Sequence, residues 1–129
     1  IDEAGRGPVI GPMTICCLVV ERKAERKLKA MGVKDSKLLS PKKREGLAKE
    51  IKKLAHCHEV CKLPAPKIDE LRNEISLNEI EAEEIGKMIE NLGPTKVYID
   101  SPDRPPSVFA DRIRRYLTSP VELHARNYA

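Results

Sequence analysis

The stretch Ile1-Asp2-Glu3-Ala4-Gly5-Arg6-Gly7-Pro8-Val9-Ile10-Gly11-Pro12 runs directly into an apolar, β-branched segment over residues 14–20. Two adjacent carboxylates therefore enter a turn built from three glycines, two prolines and one arginine. Carboxylates hold hard cations, small residues let a backbone approach a ligand, and a guanidinium faces phosphate. Together these features point to a metal-dependent site for a phosphodiester. A short strand ending at the acidic pair, the turn, and a strand over residues 13–21 make an antiparallel start to the fold.

Outward from that hairpin, residues 22–31 carry helical residues and stop at Gly32, and residues 33–39 form a loop holding Asp35-Ser36-Lys37. Ser40-Pro41 opens a helix to about Leu54, with a hydroxyl cap and a proline where no N–H is needed. Leu47, Ile51 and Leu54 mark its buried face. Residues 56–63 read as a third strand, broken by Pro64-Ala65-Pro66 and followed by a short helix around residues 68–72. Ser76-Leu77-Asn78-Glu79 is a capping box for a long helix with Ile80, Ile85, Met88, Ile89 and Leu92 apolar, ending at Gly93-Pro94. A buried strand over residues 96–99 ends at Asp100. A proline-rich loop, a helix over residues 108–117 and a last strand over residues 121–124 complete the order. The expectation is an α/β fold whose sheet starts antiparallel and finishes with parallel crossovers.

Composition sets bounds on function. With 129 residues, 40% hydrophobic, only 3% aromatic and no Trp, the chain is one domain with a core of Ile, Leu, Val and Ala. The balance of 24 basic against 20 acidic residues, a net charge of +4, suits a nucleic-acid partner and equally suits many ordinary proteins. No apolar run reaches the length of a membrane span and no basic-then-apolar leader precedes the fold, which reads as a cytoplasmic chain. Entry at Ile1 inside a strand and an abrupt end at Tyr128-Ala129 suggest a piece of a longer protein. Cys16, Cys17, Cys57 and Cys61 read as reduced thiols. His56-Cys57-His58 with Cys61 is no zinc site, since a strand sets Cys57 and Cys61 roughly 13 Å apart.

Asp2 and Asp100 each sit where an apolar strand runs out, and neighbouring strand ends share one rim of an α/β sheet, where such folds place ligands. Oxygen donors favour Mg²⁺ or Mn²⁺. Glu3 alternates to the other side of an ideal strand and joins Asp2 only if the Gly5 turn bends the chain; otherwise the pair is a solvated turn. Gly5-Arg6-Gly7 is not a dinucleotide fingerprint, because Pro8 interrupts it and a strand follows. It is either a tight hairpin turn or a turn whose backbone approaches a ribose, with Arg6 reaching phosphate. Lys34, Lys42, Lys43 and Arg44, with Arg112, Arg114 and Arg115, either track phosphates or form solvated helix faces.

Asp2-Glu3-Ala4-Gly5-Arg6-Gly7-Pro8, then Asp35-Ser36-Lys37, then Tyr98-Ile99-Asp100-Ser101 resemble, in that order, ribonuclease HII of the archaeal type. Ser76-Leu77-Asn78-Glu79 and Glu122-Leu123-His124-Ala125 extend the resemblance over essentially the whole chain. It implies a ribonuclease H-like α/β fold, a mixed five-stranded sheet flanked by helices. It further implies an endoribonuclease of DNA replication and repair that hydrolyses the RNA strand of RNA–DNA hybrids. Such an enzyme also nicks duplex DNA 5′ of embedded ribonucleotides, leaving a 3′-hydroxyl and a 5′-phosphate. Asp2, Glu3 and Asp100 match three of four metal-binding catalytic carboxylates; Gly5, Arg6 and Gly7 match the reader of the 2′-hydroxyl; Lys37 matches a contact to the substrate backbone.

Two Mg²⁺ or Mn²⁺ ions about 4 Å apart would serve catalysis. The partner is an RNA–DNA hybrid or ribonucleotide-containing duplex DNA, the chain a monomer without a membrane. The family's fourth carboxylate, its C-terminal helices and the start of its first strand lie outside residues 1–129, so weak or no activity is expected of this piece alone. The competing readings are a non-catalytic RNA–DNA hybrid-binding module and another ribonuclease H-like metal nuclease.

Overall fold

A computed structural model describes residues 1–6 and 11–127. Ten elements follow in the expected order: β1 (Asp2–Ala4), β2 (Met13–Val19), α1 (Glu25–Ala30), α2 (Pro41–Leu54), β3 (Cys57–Leu63), α3 (Ala65–Arg72), α4 (Leu77–Leu92), β4 (Lys96–Asp100), α5 (Pro106–Arg114) and β5 (Glu122–Arg126). Single turns of 3-10 helix over Arg22–Ala24 and Ser36–Leu38 precede α1 and α2. The described residues divide into two units, Ile1–Cys17 with Glu59–Ala129, and Leu18–His58. No helix among the described residues is long and apolar enough to cross a membrane.

Among the described residues five strands lie in two ladders, where the sequence reading expected one five-stranded sheet. One has the order β1-β2-β3; the other pairs β4 with β5 in parallel. A backbone bond from the Ile1 nitrogen to the Tyr98 carbonyl, 2.8 Å, lays the start of β1 beside β4, but one bond is not a ladder. The strands alternate as half-buried strands must: Met13, Ile15 and Cys17 are buried on β2 while Cys16 is exposed.

The core of the first unit joins that face of β2 to Val97 and Ile99 of β4, to Ile80, Ile85, Met88 and Ile89 of α4, and to Phe109 and Ile113 of α5. Phe109, the chain's one phenylalanine, is 0% exposed, as are Ile15 and Ile113. α4 begins where the Ser76 hydroxyl accepts from the Glu79 backbone N–H at 3.2 Å and ends at Gly93, left-handed at φ 63°. Only half of the capping box forms, because the Glu79 carboxylate turns instead to Arg112 and Tyr116.

Several boundaries differ from the sequence reading. α3 starts at Ala65, since Pro64-Ala65-Pro66 supplies a cap and a first-turn proline instead of a break. α5 occupies Pro106–Arg114 rather than residues 108–117, again entered on a first-turn proline. β5 reaches Arg126 because its ladder runs the full length of β4, pairing Asp100 with Arg126. In the second unit, α2 matches its expected span, with the Ser40 hydroxyl accepting from the Lys43 N–H. Leu47, Ile51 and Leu54 are half-buried.

Candidate active site

β1 sets its two carboxylates on opposite faces. In the register with β2, Glu3 opposes Ile15, which is fully buried, and Asp2 opposes the exposed Cys16. Glu3 is thus carried to the core side of the hairpin and is half-buried, whereas Asp2 is exposed. Asp2 Oδ1 accepts the Glu3 backbone N–H at 2.9 Å. Burial, and then the Asp2 charge, push the Glu3 carboxyl above its ordinary range.

The hairpin closes over Gly5. Its φ is +79°, and a Cβ at that position would stand 2.5 Å from the Pro12 carbonyl oxygen, closer than any side chain tolerates. Glycine is required here for both reasons. Gly7, paired with Gly5 and Arg6 in the expected ribose reader, lies outside the described residues.

Arg6 does not reach outward. Its Nη2 donates to Asn78 Oδ1, and its Nε stands 3.1 Å from Glu81 Oε2, with side-chain exposures of 30% and 1% for Arg6 and Glu81. The Nε–Oε2 pair is within ion-pair distance but misaligned for a hydrogen bond, and neither Glu81 oxygen has a hydrogen-bond partner among the described residues. Glu81 is a carboxyl group sunk in the core face of α4. Burial first, then the nearby Glu3, raise its pKa to about 7; Arg6 opposes this, and Asp100 adds to it.

Asp100 ends β4, half-buried. The Ile1–Tyr98 bond sits one residue before Asp2, which opens β1 instead of ending a strand as the sequence reading expected, and two residues before Asp100, which ends β4. Beyond Asp100 the chain is tied down. The Ser101 N–H donates to the Arg126 carbonyl at 2.7 Å, and Asn127 Nδ2 donates to the carbonyls of Ser101 and Asp103, both at 2.8 Å. Asp103 in turn accepts from Asn78 Nδ2 at 2.8 Å and from Arg112 Nε at 2.9 Å. Arg112 Nη1 donates to Glu79, which also accepts from the Tyr116 hydroxyl at 2.6 Å. One polar chain therefore links Arg6, Asn78, Asp103, Arg112, Glu79 and Tyr116.

Of the three arginines in α5 and at its end, that chain holds Arg112. Arg112 is committed to Asp103 and Glu79, Arg114 pairs with Asp111 at 2.9 Å, and Arg115 stands 3.8 Å from Glu79. Arg112 braces the fold, while the side chains of Arg114 and Arg115 stay 52% and 63% exposed. Arg44, in the second unit, donates to the carbonyls of Ser36 and Leu39, both at 3.0 Å. This fixes the Asp35-Ser36-Lys37 loop, where Asp35 accepts the Lys37 backbone N–H and the Lys37 side chain is exposed. Among the described residues, no three His, Cys, Asp or Glu side chains stand close enough together to hold a metal ion. Glu81 nonetheless feels the charges of both Glu3 and Asp100.

A family profile described as Ribonuclease HII matches residues 1–124. The chain belongs to the ribonuclease HII family. Among its relatives, the ribonuclease HII of Methanosarcina acetivorans is 44% identical over 98% of this chain and 56% of its own length. The chain thus spans little more than half of that relative. The crystal structure of the ribonuclease H2 from Pyrococcus horikoshii OT3 superposes with a TM-score of 0.88 at 38% identity, covering 99% of this chain and 61% of that one. A ribonuclease HIII, Bst-RNase HIII in complex with Mn²⁺, gives 0.75 at 25% identity, covering 99% and 44%. The ribonuclease H-like α/β fold expected from the sequence is therefore the fold observed.

The sequence reading overlooked Glu81 and Asn78. The signal for Glu81 was an acidic residue in phase with the apolar stripe Leu77, Ile85 and Ile89, where α4 ought to carry another aliphatic side chain.

Proposed function

We propose that the full-length protein is a divalent-metal-dependent endoribonuclease. It hydrolyses the RNA strand of RNA–DNA hybrids and nicks duplex DNA on the 5′ side of an embedded ribonucleotide. Two features support this reading: the Ile1 to Tyr98 backbone bond brings the segment before Asp2 to the segment before Asp100, and Glu81, raised to about 7, feels the charges of both Glu3 and Asp100. Crowded carboxylates are costly unless a cation neutralises them, and an all-oxygen donor set suits Mg²⁺ or Mn²⁺. Asp2, Glu3 and Asp100 would hold the ions. When bound, a pair of such ions supplies an activated water and stabilises the departing oxygen.

The chain's own residues supply position and selectivity. Water attacks phosphorus, the bond from phosphorus to the 3′-oxygen breaks, and that oxygen takes up a proton. A 3′-hydroxyl is left upstream and a 5′-phosphate on the ribonucleotide. Gly5 leaves its backbone polar groups unshielded close to the acidic pair, where the 2′-hydroxyl that marks RNA can be read, with Gly7 of the same motif as its expected partner. Arg6 supports this turn from within. Exposed Lys37 offers a charge to a substrate phosphate. The enzyme acts as a cytoplasmic monomer. The test is a nicking assay with the full-length protein and Mg²⁺ or Mn²⁺, on one duplex with a single ribonucleotide and one with none. Cleavage confined to the first supports the reading; binding without cleavage under every metal condition would make the protein a hybrid-binding module instead.

A further inference from the structure

Arg6 is the side chain of the glycine turn best suited to bind a phosphate, yet its guanidinium is taken up by Asn78 and Glu81 of α4. Both are placed by the fold rather than by chance contact. Asn78 is held from its other end, its Nδ2 donating to Asp103, which Arg112 fixes in turn. Glu81 is 99% removed from solvent in the middle of α4's buried face, where an apolar residue would pack at lower cost. A buried carboxylate with unbonded oxygens is kept at a cost, and its visible use is to hold the Arg6 cation inward.

We propose that Asn78 and Glu81 are positioning residues for ribonucleotide recognition: they anchor the Arg6 side chain to α4 and so fix the backbone of Gly5 and Arg6 against the substrate ribose. Arg6 then acts as a strut, not as a phosphate ligand. Gly5, at φ +79° and closed against Pro12, and the Arg6 anchor next to it hold this backbone from two sides. The inference rests on the endoribonuclease reading above and adds two residues outside the metal-binding set.

The test uses the full-length protein and its Arg6→Ala, Asn78→Ala, Glu81→Gln and Arg6→Ala/Asn78→Ala variants. Three quantities are read: kcat/KM on a duplex with one ribonucleotide, Kd for the same duplex made entirely of DNA, and the urea midpoint. Each single change should lower kcat/KM by tenfold or more, the scale seen when supporting partners of a site are lost. The all-DNA Kd should stay within about twofold, because phosphate contacts elsewhere supply that affinity. Residues acting as one unit do not add, so the double variant should be no worse than Arg6→Ala alone.

Additive losses in the double variant, or folded single variants with wild-type kcat/KM, would overturn the inference. So would an all-DNA Kd that weakens in step with kcat/KM, which would make Arg6 a phosphate ligand. If Asn78→Ala does not fold, Glu81→Gln, which preserves side-chain shape, carries the comparison. A wild-type protein that ignores the ribonucleotide brings down the endoribonuclease reading itself, whatever the variants do.

Discussion

Glu81 Oε2 lies 3.1 Å from Arg6 Nε, a fully buried carboxyl held against a guanidinium that keeps 30% of its side-chain surface. The pair ties the turn after β1 to the middle of α4, and its charge is only partly balanced. Burial and the neighbouring Glu3 and Asp100 outweigh Arg6, and the Glu81 pKa rises to about 7.

Stability should therefore fall with rising pH through Glu81. Below its unfolded pKa, near 4.5, the group is protonated in both states and contributes nothing. Between about pH 4.5 and 7 the unfolded chain ionises while the folded one retains its proton, so folding is progressively disfavoured, by about 3 kcal/mol once both are charged. Urea denaturation of the metal-free protein from pH 4.5 to 8 should show this decline. The wild-type minus Glu81→Gln difference should carry most of it. Parallel pH profiles for the two proteins would contradict the assignment.

Two helical glycines should respond oppositely to alanine. Gly46, on the exposed side of α2, has nothing within 4 Å of an added Cβ, so Gly46→Ala should stabilise by about 0.5–1 kcal/mol. At Gly86 on α4 the new Cβ would stand 2.6 Å from the Cβ of Tyr116, an atom that its own backbone fixes. Gly86→Ala should cost about 1–3 kcal/mol through overpacking against α5's end. Chemical denaturation of both variants checks the pair.

Tyr116→Phe removes a hydroxyl that donates to Glu79 at 2.6 Å and leaves that carboxylate to Arg112 and Arg115. The bond holds the Glu79 carboxyl low and pushes the Tyr116 hydroxyl up to about 12. A loss of about 1–2 kcal/mol is expected at neutral pH, the usual scale for a bond to a charged partner. The loss should shrink as Glu79 becomes protonated at low pH. A loss that stays the same once Glu79 has taken up its proton would mean that the ring, not the hydroxyl bond, sets the effect.

Much of this was legible because it is local. Ser40-Pro41 predicts the start of α2 from two residues, and Gly93 predicts the end of α4 from one, since caps and left-handed turns depend only on nearby backbone. The acidic pair and the glycine turn were readable in the same way. Glu81 was not, because its significance lies in Arg6, Glu3 and Asp100, which are brought to it only by folding; in sequence it is one glutamate in an acidic helix. The capping box shows the same limit: Ser76 caps as its neighbours dictate, while Glu79 leaves the box for Arg112 and Tyr116, partners more than thirty residues away. Boundaries at Ala65 and Pro106 were missed because a proline was read as an interruption where it opens a helix.

Metal binding should show in stability before any turnover. A ligand that binds only the folded state stabilises it by about 2.7 kcal/mol at a hundredfold excess over its Kd. Mn²⁺ should therefore raise the denaturation midpoint of the full-length protein, and Asp100→Asn or Glu3→Gln should abolish most of that gain. An undiminished gain in both variants would move the metal elsewhere.

The most direct test of the central claim is the position and chemistry of the cut. The full-length protein, Mg²⁺ or Mn²⁺ and a duplex with one ribonucleotide should give a single nick on its 5′ side, with a 3′-hydroxyl that a DNA polymerase can extend. The nick should vanish with chelator and fall by about a hundredfold or more in Asp100→Asn, as removal of a transition-state charge stabiliser requires. No nick under any metal condition, or equal cutting of an all-DNA duplex, would contradict it.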